Sequence, residues 1–312
     1  MKNNINKKKA IVTGCAGFIG SNLVDKLLLN NYQVIGIDYK SGQYTTKVID
    51  ISKPFTIEQN VDTIIHLAAR LEHDRCSSKE YHETNVEGTK NVLDIALKDH
   101  AFFIYVSTTA IYGSPKSPIS ENTKISPNGD YAQTKWLGEK LCEEYKSRSL
   151  NVTIVRPSVL IGKKRPGIYK IIFKNLYNNS PIQILGNGDN KISFVNIDDL
   201  CDFLIYLVEK KINKITVNFG GKIPGTLNFV LQELKRHTNS KSKIQHIPIQ
   251  FLGMLTILSK LKIIPVTSWQ LSVMHKDYYY DDKLLLSTGY DYKYEPIDAL
   301  KDMSDYYKSQ LH

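Results

Sequence analysis

AIVTGCAGFIGSNLVDKLLLNNYQVIGID, residues 10–38, is the stretch that decides the fold of this 312-residue chain. It opens with a short apolar run, which is typical of a buried parallel strand. A turn containing Gly14, Gly17 and Gly20 follows, and after it apolar residues recur at helical spacing. A second apolar run ends at Asp38. The stretch therefore predicts a strand, a glycine turn, a helix and a second strand with a carboxylate at its tip.

A bound dinucleotide would explain each of these glycines and the carboxylate, although a purely structural turn is the competing interpretation. Gly14 lets the chain turn sharply, and Gly17 removes a side chain where backbone approaches a pyrophosphate. Gly20 lets the helix lie close to the strand, so that the amides at its N-terminus face the phosphates. Asp38 can accept hydrogen bonds from both adenosine ribose hydroxyls and would repel a 2′-phosphate. The pattern favours NAD over NADP, and only the nearby Lys40 argues for NADP.

The composition is that of a globular protein with a basic surface. Hydrophobic residues make up 42% and charged residues 23% of the chain, and the net charge is +10. The lysines are spread out without interleaved aromatic residues, so no nucleic-acid partner is expected. The excess charge indicates a solvated surface, or one suited to anionic phosphates or an anionic membrane face.

The cysteines and the first residues predict a cytoplasmic protein. The four cysteines are far apart and form no Cys-x-x-Cys pair, which predicts neither a metal site nor a disulfide framework. Residues 1–9 are polar and basic, so no secretory signal is expected. No apolar run approaches the roughly 18 residues of a membrane-spanning helix.

Strands and helices alternate over the first half of the chain. After residue 38 we predict strands at 47–51, 61–69, 101–107 and 152–156, helices at 85–98 and 131–147, and loops at 70–83 and 113–129. Asp130 is the predicted cap of the second of these helices. Such alternation predicts an α/β fold with a doubly wound parallel sheet, in which ligands bind beyond the carboxyl ends of the strands. The residues at or just past those ends are Thr13, Asp38, Asp50, Ala68, Ala69, Thr108 and Ser158.

Tyr131 and Lys135 are the predicted catalytic pair, with exposed or packing roles as the alternative. Tyr-x-x-x-Lys occurs four times in this chain, and Tyr131 is preferred because it opens a helix beyond the strand that ends near Thr108. A phenol with an ordinary pKa of about 10 is a poor base at neutral pH, but a nearby ammonium favours the phenolate. Tyr131 would accept the proton of a substrate alcohol while a nicotinamide accepts the hydride, and Thr108 would hold the oxygen.

A set of motifs spread over about two thirds of the chain carries a family resemblance. The motifs are TGCAGFIG (13–20), Asp38, Asp50-Ile51, HLAA (66–69), NVEGT (85–89), STTAIYG (107–113), YAQTK (131–135), RPS (156–158) and SFVNIDDL (193–200). They resemble the extended short-chain dehydrogenase/reductases of the NAD-dependent epimerase/dehydratase type. The resemblance implies a Rossmann-type NAD domain over residues 1–157 and about 190–220. It also implies a smaller C-terminal substrate domain over about 158–189 and 221–312.

The resemblance also implies site residues and an assembly. The implied cofactor contacts are Gly14, Gly17, Phe18, Ile19, Gly20, Asp38, Asp50, Ile51, Leu67, Ala68, Ala69, Asn85, Tyr131, Lys135, Pro157 and Ser158. The implied substrate contacts are Arg70, Thr108, Tyr131, Arg165 and Lys191, and the implied catalytic set is Thr108, Tyr131 and Lys135. A homodimer formed through the helices that begin near Asn85 and Tyr131 is implied as well.

Two departures from the family pattern bear on the reaction. Related 4,6-dehydratases carry Asp-Glu directly after the catalytic threonine, whereas this chain has Thr109 and Ala110, so loss of water is not expected. Many members place a diphosphate-binding arginine where this chain has Ile192, and the adjacent Lys191 can contact phosphate only as a point charge. The basic loop 162–167 is either a substitute diphosphate site or a solvated turn.

The later part of the chain resembles 4-epimerases of N-acetylhexosamine carried on polyprenyl diphosphate. We predict an NAD-dependent C4 epimerase of a UDP-sugar or of such a lipid-linked sugar. The alternatives are a 4-keto-sugar reductase or hydroxyl dehydrogenase of the same family, and a non-catalytic NAD sensor. The apolar residues 251–264 are too short to span a bilayer, and they either lie against a membrane or form a lid or core helix of the substrate domain.

Overall fold

The computed structural model describes residues 7–310 except 59, 73, 75, 166, 262 and 265. The strands are β1 (Lys9–Thr13), β2 (Gln33–Asp38), β3 (Lys47–Val48), β4 (Thr63–His66), β5 (Phe102–Val106), β6 (Val152–Pro157), β7 (Val159–Ile161), β8 (Ile182–Leu185), β9 (Phe194–Asn196), β10 (Thr216–Phe219) and β11 (Ile244–Ile247). The helices are α1 (Phe18–Leu29), α2 (Ser78–His82), α3 (Gly88–Asp99), α4 (Gly129–Ser147), α5 (Ile168–Tyr177), α6 (Ile197–Glu209), α7 (Leu227–His237), α8 (Leu252–Lys260), α9 (Ser268–Val273), α10 (Lys283–Ser287) and α11 (Pro296–Lys308). A π-helical turn at Glu83–Glu87 joins α2 to α3, and 3₁₀ turns lie at Thr109–Tyr112 and Ile249–Phe251.

A seven-stranded sheet with the order β10-β6-β5-β4-β1-β2-β3 forms the centre of the fold. The pairs β1–β2, β1–β4, β2–β3, β4–β5 and β5–β6 are all parallel. Thr13 at the end of β1 lies in register with Ile37 and His66. The strand order reverses between β1 and β4, and in such a sheet this is where ligands bind. The predicted α/β Rossmann-type fold is confirmed.

The strands of this sheet are apolar because both of their faces are covered. Ile11, Ile64, Phe103 and Ile154 come from four neighbouring strands, are at most 1% exposed and belong to one core cluster. Burying each such side chain is worth about 1.5–3 kcal/mol, so this cluster is the main stabilising element of the sheet.

The chain divides into two compact units, each assembled from three segments. The first unit comprises residues 7–111, 127–157 and 200–217, and the second comprises 112–126, 158–199 and 218–310. The sequence-based boundaries placed 112–126 and about 190–199 in the first unit, whereas backbone pairing ties both segments to the second. Ile119 donates its N–H to Tyr279 O at 2.9 Å, and Ser193 donates its N–H to Tyr278 O at 3.1 Å.

The second unit has its own core between two small parallel sheets and their helices. The sheets pair β8 with β11 and β7 with β9. Phe173, Leu176, Ile184, Leu231 and Met303 form the centre of the cluster, and each is less than 5% exposed. This unit therefore holds an apolar core separate from that of the sheet.

Three local predictions require correction. The loop predicted at 70–83 contains α2, because Ser77 and Glu80 form a capping box at its N-terminus. The cap of α4 is Asn128, while Asp130 lies in the first helical turn and accepts a hydrogen bond from Ser78 Oγ at 2.9 Å. The strand predicted at 47–51 ends at Val48, since the chain turns at Asp50, whose carboxylate accepts a hydrogen bond from the N–H of Ser52.

The apolar stretch at 251–264 forms α8, and its Lys262 lies outside the described residues. No residue of α8 is buried, so the interpretation as a core helix is wrong. Within the part of the chain that the structure covers, no helix is both long and apolar enough to cross a membrane.

Candidate active site

The structure explains the three glycines after β1 by different contacts. Gly14 has φ +71°, and a Cβ there would lie 2.8 Å from Ala68 N. A Cβ at Gly20 would lie 2.1 Å from Gly14 O, so these two positions require glycine for the fold itself. Gly17 has an ordinary φ of −77°, and a Cβ there would meet only Gly14 O at 3.1 Å. This contact with a backbone oxygen is already tight, and glycine at this position also leaves the start of α1 open to the close approach of a phosphate.

Asp38 is held at the tip of β2 with its carboxylate oriented by backbone. It is 5% exposed and accepts the N–H of Ala16 at 3.0 Å and that of Lys40 at 3.3 Å. These two hydrogen bonds fix the carboxylate beside the glycine turn. This is the position from which an acidic residue binds an adenosine ribose.

The ends of β1 and β4 are joined by a buried hydrogen-bond chain. Thr13 Oγ1 accepts the N–H groups of Leu67 and Ala68 at 3.1 and 3.2 Å and lies 2.7 Å from His66 Nδ1. His66 Nε2 lies 3.0 Å from the hydroxyl oxygen of Thr89. Burial lowers the pKa of His66 to about 3, with a further contribution from Lys135. The imidazole is therefore neutral and holds the small-residue loop after β4 in place.

Asn85 fixes the rest of that loop. Its side-chain oxygen accepts the N–H of Arg70 at 2.7 Å, and its amide donates to Arg70 O and to Thr134 Oγ1 at 3.1 and 3.0 Å. The Arg70 guanidinium lies 5.3 Å from the centroid of the Tyr39 ring, next to the tip of β2. Asn85 thus has a positioning role within the protein, and the predicted cofactor contact of Asn85 and substrate contact of Arg70 stay predictions.

Lys135 is a buried ammonium anchored beneath the end of β5. It is 2% exposed, donates to Val106 O at 2.8 Å and lies 4.0 Å from the centroid of the Tyr105 ring. Burial lowers its pKa to about 7, while Cys142 and Glu139 act in the opposite direction. A cation with these contacts cannot move far from the strand end.

Tyr131 and Thr108 lie on the two segments that Lys135 connects. Tyr131 is half-buried in the first turn of α4, one helical turn before Lys135. Ser107 and Thr108 come next in the chain after β5. Thr108 is half-buried, and its hydroxyl oxygen accepts a hydrogen bond from the N–H of Ala110 at 3.1 Å. The hydroxyl oxygen keeps further capacity for a ligand, because an oxygen of this type has two lone pairs and a proton.

A buried ionic group, which we call the strand-end cluster, consists of Ser107, Glu139 and Arg156. Arg156 Nη2 and Nε donate to Glu139 Oε2 and Oε1 at 2.6 and 3.0 Å, and Ser107 Oγ donates to Glu139 Oε1 at 2.5 Å. Glu139 lies one turn after Lys135 on α4, while Ser107 and Arg156 lie at the ends of β5 and β6. One carboxylate therefore ties together the three segments that carry Thr108, Tyr131 and Pro157.

Sequence reasoning gave Glu139 no role. The available signal was the spacing of four from Lys135, which puts both residues on the same face of α4. Its partners lie 17 and 32 residues away along the chain, so the pairing became visible only in the fold.

The other predicted cofactor residues are distributed along the same strand ends. Phe18 and Ile19 are half-buried in the first turn of α1, Leu67, Ala68 and Ala69 are half-buried after β4, Asp50 is exposed, and Ile51 is buried beneath Gly88. Pro157 O accepts the hydroxyl of Thr109 at 3.4 Å. The Ser158 hydroxyl oxygen is buried and has no hydrogen-bond partner among the described residues, which leaves it available to a ligand.

Two predicted substrate residues belong to the second unit. Arg165 is half-buried in the loop after β7, where its N–H donates to Gly162 O at 3.1 Å and its carbonyl accepts the hydroxyl of Tyr307. Pro166 of this loop lies outside the described residues. Lys191 is exposed, and its N–H donates to Asp277 Oδ1 at 2.8 Å. The predicted diphosphate contacts of both residues remain predictions.

Comparison with known proteins identifies relatives of this arrangement. The model of the NAD dependent epimerase/dehydratase family matches residues 10–220. An uncharacterized UDP-glucose epimerase of Bacillus subtilis is 34% identical over 68% of this chain and 77% of its own length. The N-acetyl-alpha-D-glucosaminyl-diphospho-ditrans,octacis-undecaprenol 4-epimerase of Escherichia coli O157:H7 is 26% identical over 80% of each chain. The UDP-N-acetyl-alpha-D-glucosaminuronate decarboxylase of Bacillus cytotoxicus is 29% identical over 78% of this chain and 84% of its own.

Solved structures show the same fold. The UDP-glucuronic acid 4-epimerase of Bacillus cereus, crystallised with NAD, superposes with a TM-score of 0.79 at 23% identity, covering 97% of this chain and all of that one. The family match confirms the predicted family and the predicted cofactor, NAD. The chain belongs to the NAD-dependent epimerase/dehydratase family.

Proposed function

We propose that this protein is an NAD-dependent epimerase that inverts C4 of a diphosphate-linked sugar, either a UDP-sugar or an N-acetylhexosamine on polyprenyl diphosphate. The observation that carries the proposal is the anchored ammonium of Lys135, one turn after Tyr131 and bonded to the last carbonyl of the strand that leads to Thr108. This arrangement supplies a cation, a phenol and a hydroxyl at the ligand-binding edge of the sheet.

Each side chain has a defined role in this reaction. NAD supplies a reversible acceptor for the hydride of the sugar carbon. Tyr131 accepts the proton of the C4 hydroxyl and later returns it. The Lys135 ammonium favours the phenolate form of Tyr131, and the Thr108 hydroxyl holds the sugar oxygen as it becomes a carbonyl. Glu139 acts indirectly, because its charge raises the pKa of Lys135 and so keeps the ammonium protonated to higher pH.

The positions after Thr108 support epimerisation over dehydration. Thr109 is 1% exposed with its hydroxyl bonded to Pro157 O, and Ala110 is 7% exposed. Neither residue offers the acid or base that removal of water from the sugar would need. The epimerases among the relatives support the same choice.

A substrate panel read by NMR tests the proposal. Purified protein with NAD is given UDP-glucose, UDP-N-acetylglucosamine, UDP-glucuronic acid and a polyprenyl-diphosphate N-acetylglucosamine. We expect the C4 epimer of at least one of them without net change in NADH. Absence of any C4 epimer contradicts the proposal. Stoichiometric change in NADH would indicate the reductase or dehydrogenase instead, and release of CO₂ the decarboxylase activity named for one relative.

Tyr131→Phe tests the role of the phenol. We expect turnover to fall by about 10²–10⁴-fold because the general acid–base group is lost, while NAD binding is retained. Tyr206→Phe is the matched control, since Tyr206 also precedes a lysine by four residues, and its ring lies 6.0 Å from Lys210 Nζ. A Tyr131→Phe protein with full turnover would remove the proposed base, and unchanged biological activity without turnover would favour an NAD sensor.

We further propose that the protein is a homodimer through α3 and α4. Leu137 on α4 is 38% exposed, which leaves apolar surface on this helix for a partner. Sedimentation equilibrium of wild type and Leu137→Glu measures this, with a dimer expected only for wild type.

A further inference from the structure

Among the described residues, α8 and the residues that flank it are apolar but poorly buried. Phe251, Met254, Ile257 and Leu261 are 41%, 52%, 61% and 65% exposed. Their spacing of three, three and four residues places them along one face of the helix. We call this row the exposed stripe. Ile249 and Ile263, which come before and after the stripe in the chain, are 47% and 64% exposed.

The side of α8 next to the stripe is apolar too. Leu252, Leu255 and Leu258 are half-buried, and Ser259 Oγ lies 3.4 Å from Ser268 Oγ at the start of α9. Together with the stripe, these leucines give α8 a wider apolar surface than a surface helix with one core-facing side normally has. Soluble surfaces rarely expose contiguous apolar residues of this kind without a binding role.

The charged residues of the chain segment that contains the stripe all have one sign. Between Glu233 and Asp277 the chain contains Lys235, Arg236, Lys241, Lys243, Lys260, Lys262 and Lys276 and no acidic residue. This differs from the chain as a whole, in which 41 basic residues accompany 31 acidic ones. Lys241 and Lys243 are exposed just before β11, which leads into the stripe, and Lys260 is exposed in the last turn of α8. A protein partner chosen for apolar contact alone would not require this bias.

We infer that the exposed stripe docks on an anionic lipid bilayer, with its apolar side chains in the headgroup boundary and the neighbouring lysines on acidic headgroups. Apolar area and cationic flanks are the two contributions that make interfacial helices bind membranes. At nine residues, α8 is far too short to span a bilayer and can only lie along its surface. This inference goes beyond the proposed epimerase activity and does not depend on it.

Co-sedimentation with vesicles of phosphatidylcholine, with and without phosphatidylglycerol, tests the docking. We expect wild type to bind the anionic vesicles and to bind the neutral ones much more weakly. Met254→Gln/Ile257→Gln should lower the partition coefficient at least about tenfold, because two apolar side chains no longer enter the lipid. Leu28→Gln/Leu29→Gln is the matched control, since these residues are 48% and 84% exposed at the end of α1.

Replacing three lysines measures the electrostatic contribution to vesicle binding separately from the apolar one. Lys241→Gln/Lys243→Gln/Lys260→Gln should lower binding to anionic vesicles by about 100-fold at low salt, since each basic residue near the surface contributes about fivefold. Lys53→Gln/Lys124→Gln/Lys210→Gln, at exposed positions outside α3, α4 and the stripe, should bind as wild type does.

Three results would overturn the inference. The first is no binding to anionic vesicles, and the second is an equal loss of binding in the control variants. The third is a self-association of wild type that Met254→Gln/Ile257→Gln abolishes in the ultracentrifuge without any vesicle binding, which would make the stripe a contact between copies of the chain. Vesicle binding should persist in Tyr131→Phe, so failure of the docking and failure of the epimerase proposal are distinguishable.

Discussion

The strand-end cluster and the exposed stripe are opposite exceptions to the usual distribution of polar and apolar residues. Glu139 and Arg156 are charged and only 1% and 5% exposed, whereas Ile257 and Leu261 are apolar and more than 60% exposed. The buried charges are compensated within the first unit by paired hydrogen bonds. The exposed apolar side chains are not shielded from water in a comparable way, since no described residue of α8 is buried. A buried charge whose partners lie within the protein indicates that it positions neighbouring segments. An exposed row of apolar side chains indicates a binding partner outside the protein.

The largest expected effect comes from breaking the buried pair. Glu139→Gln leaves the Arg156 charge buried without its counter-ion, which should lower the free energy of unfolding by about 3–5 kcal/mol. Urea denaturation measures the change. Glu83→Gln removes an exposed partner of Lys79 at 3.7 Å and should change stability by no more than about 0.5 kcal/mol. A cost below about 1 kcal/mol for Glu139→Gln would mean that other groups compensate Arg156.

Replacing both charged residues separates the structural role of the strand-end cluster from its effect on Lys135. Glu139→Met/Arg156→Met removes the guanidinium together with the carboxylate, so most of the lost stability should return, because hydrophobic residues often replace a buried ion pair at little cost. Turnover should nevertheless stay below wild type, with the alkaline limb of its pH profile shifted to lower pH, since Glu139 no longer raises the pKa of Lys135. A double variant with a wild-type pH profile would assign the cluster a purely structural role.

The burial of Lys135 should make the stability of the protein depend on pH. The folded-state pKa of Lys135 is about 7, below its ordinary value of 10.5, so between these values the unfolded chain binds more protons. Stability should therefore rise with pH from about 7 to about 10.5, and the penalty of burying the ammonium, a few kcal/mol, is fully present below pH 7. The difference in unfolding free energy between wild type and Lys135→Met, followed across this range, should show that slope. A difference that stays constant across this range would contradict the lowered pKa of Lys135.

The smallest expected effect is at the stripe itself. Met254→Gln should change the free energy of unfolding by no more than about 0.5 kcal/mol, because the side chain is already 52% exposed. Met303→Gln makes the same substitution at a position that is 0% exposed and should cost at least about 2 kcal/mol. Thermal unfolding of the two variants compares them directly. A large loss for Met254→Gln would show that α8 packs against the protein.

The sequence predicted the Rossmann-type half of the molecule well because its signals are local. The glycine turn accounts for Gly14 and Gly20, and the end of a strand accounts for Asp38. All three lie within one strand–helix–strand unit, and the structure explains each of them by contacts around it. The sequence could not show that Asn85 holds the Arg70 backbone or that Glu139 binds Arg156, because these contacts join segments that only the fold brings together.

Two other differences between the sequence-based prediction and the structure have different causes. The capping box at Ser77 and Glu80 was visible in the sequence, but the five-residue α2 is too short for apolar periodicity to reveal it. The segment 112–126 was grouped with its neighbours in the chain, whereas Ile119 pairs with strand-like backbone near residue 280. Local patterns do not contain such long-range pairing.

The interleaved course of the chain has a consequence for how this protein can be altered. Because each unit is assembled from three separate segments, the polypeptide passes from one to the other five times, after residues 111, 126, 157, 199 and 217. No single cut releases either unit intact, and a truncation after residue 157 would strip the edge strand β10 from the sheet. A recombination that exchanged one whole unit between relatives would have to transfer three separate segments at once, so gradual substitution within those segments is the simpler way to change a unit.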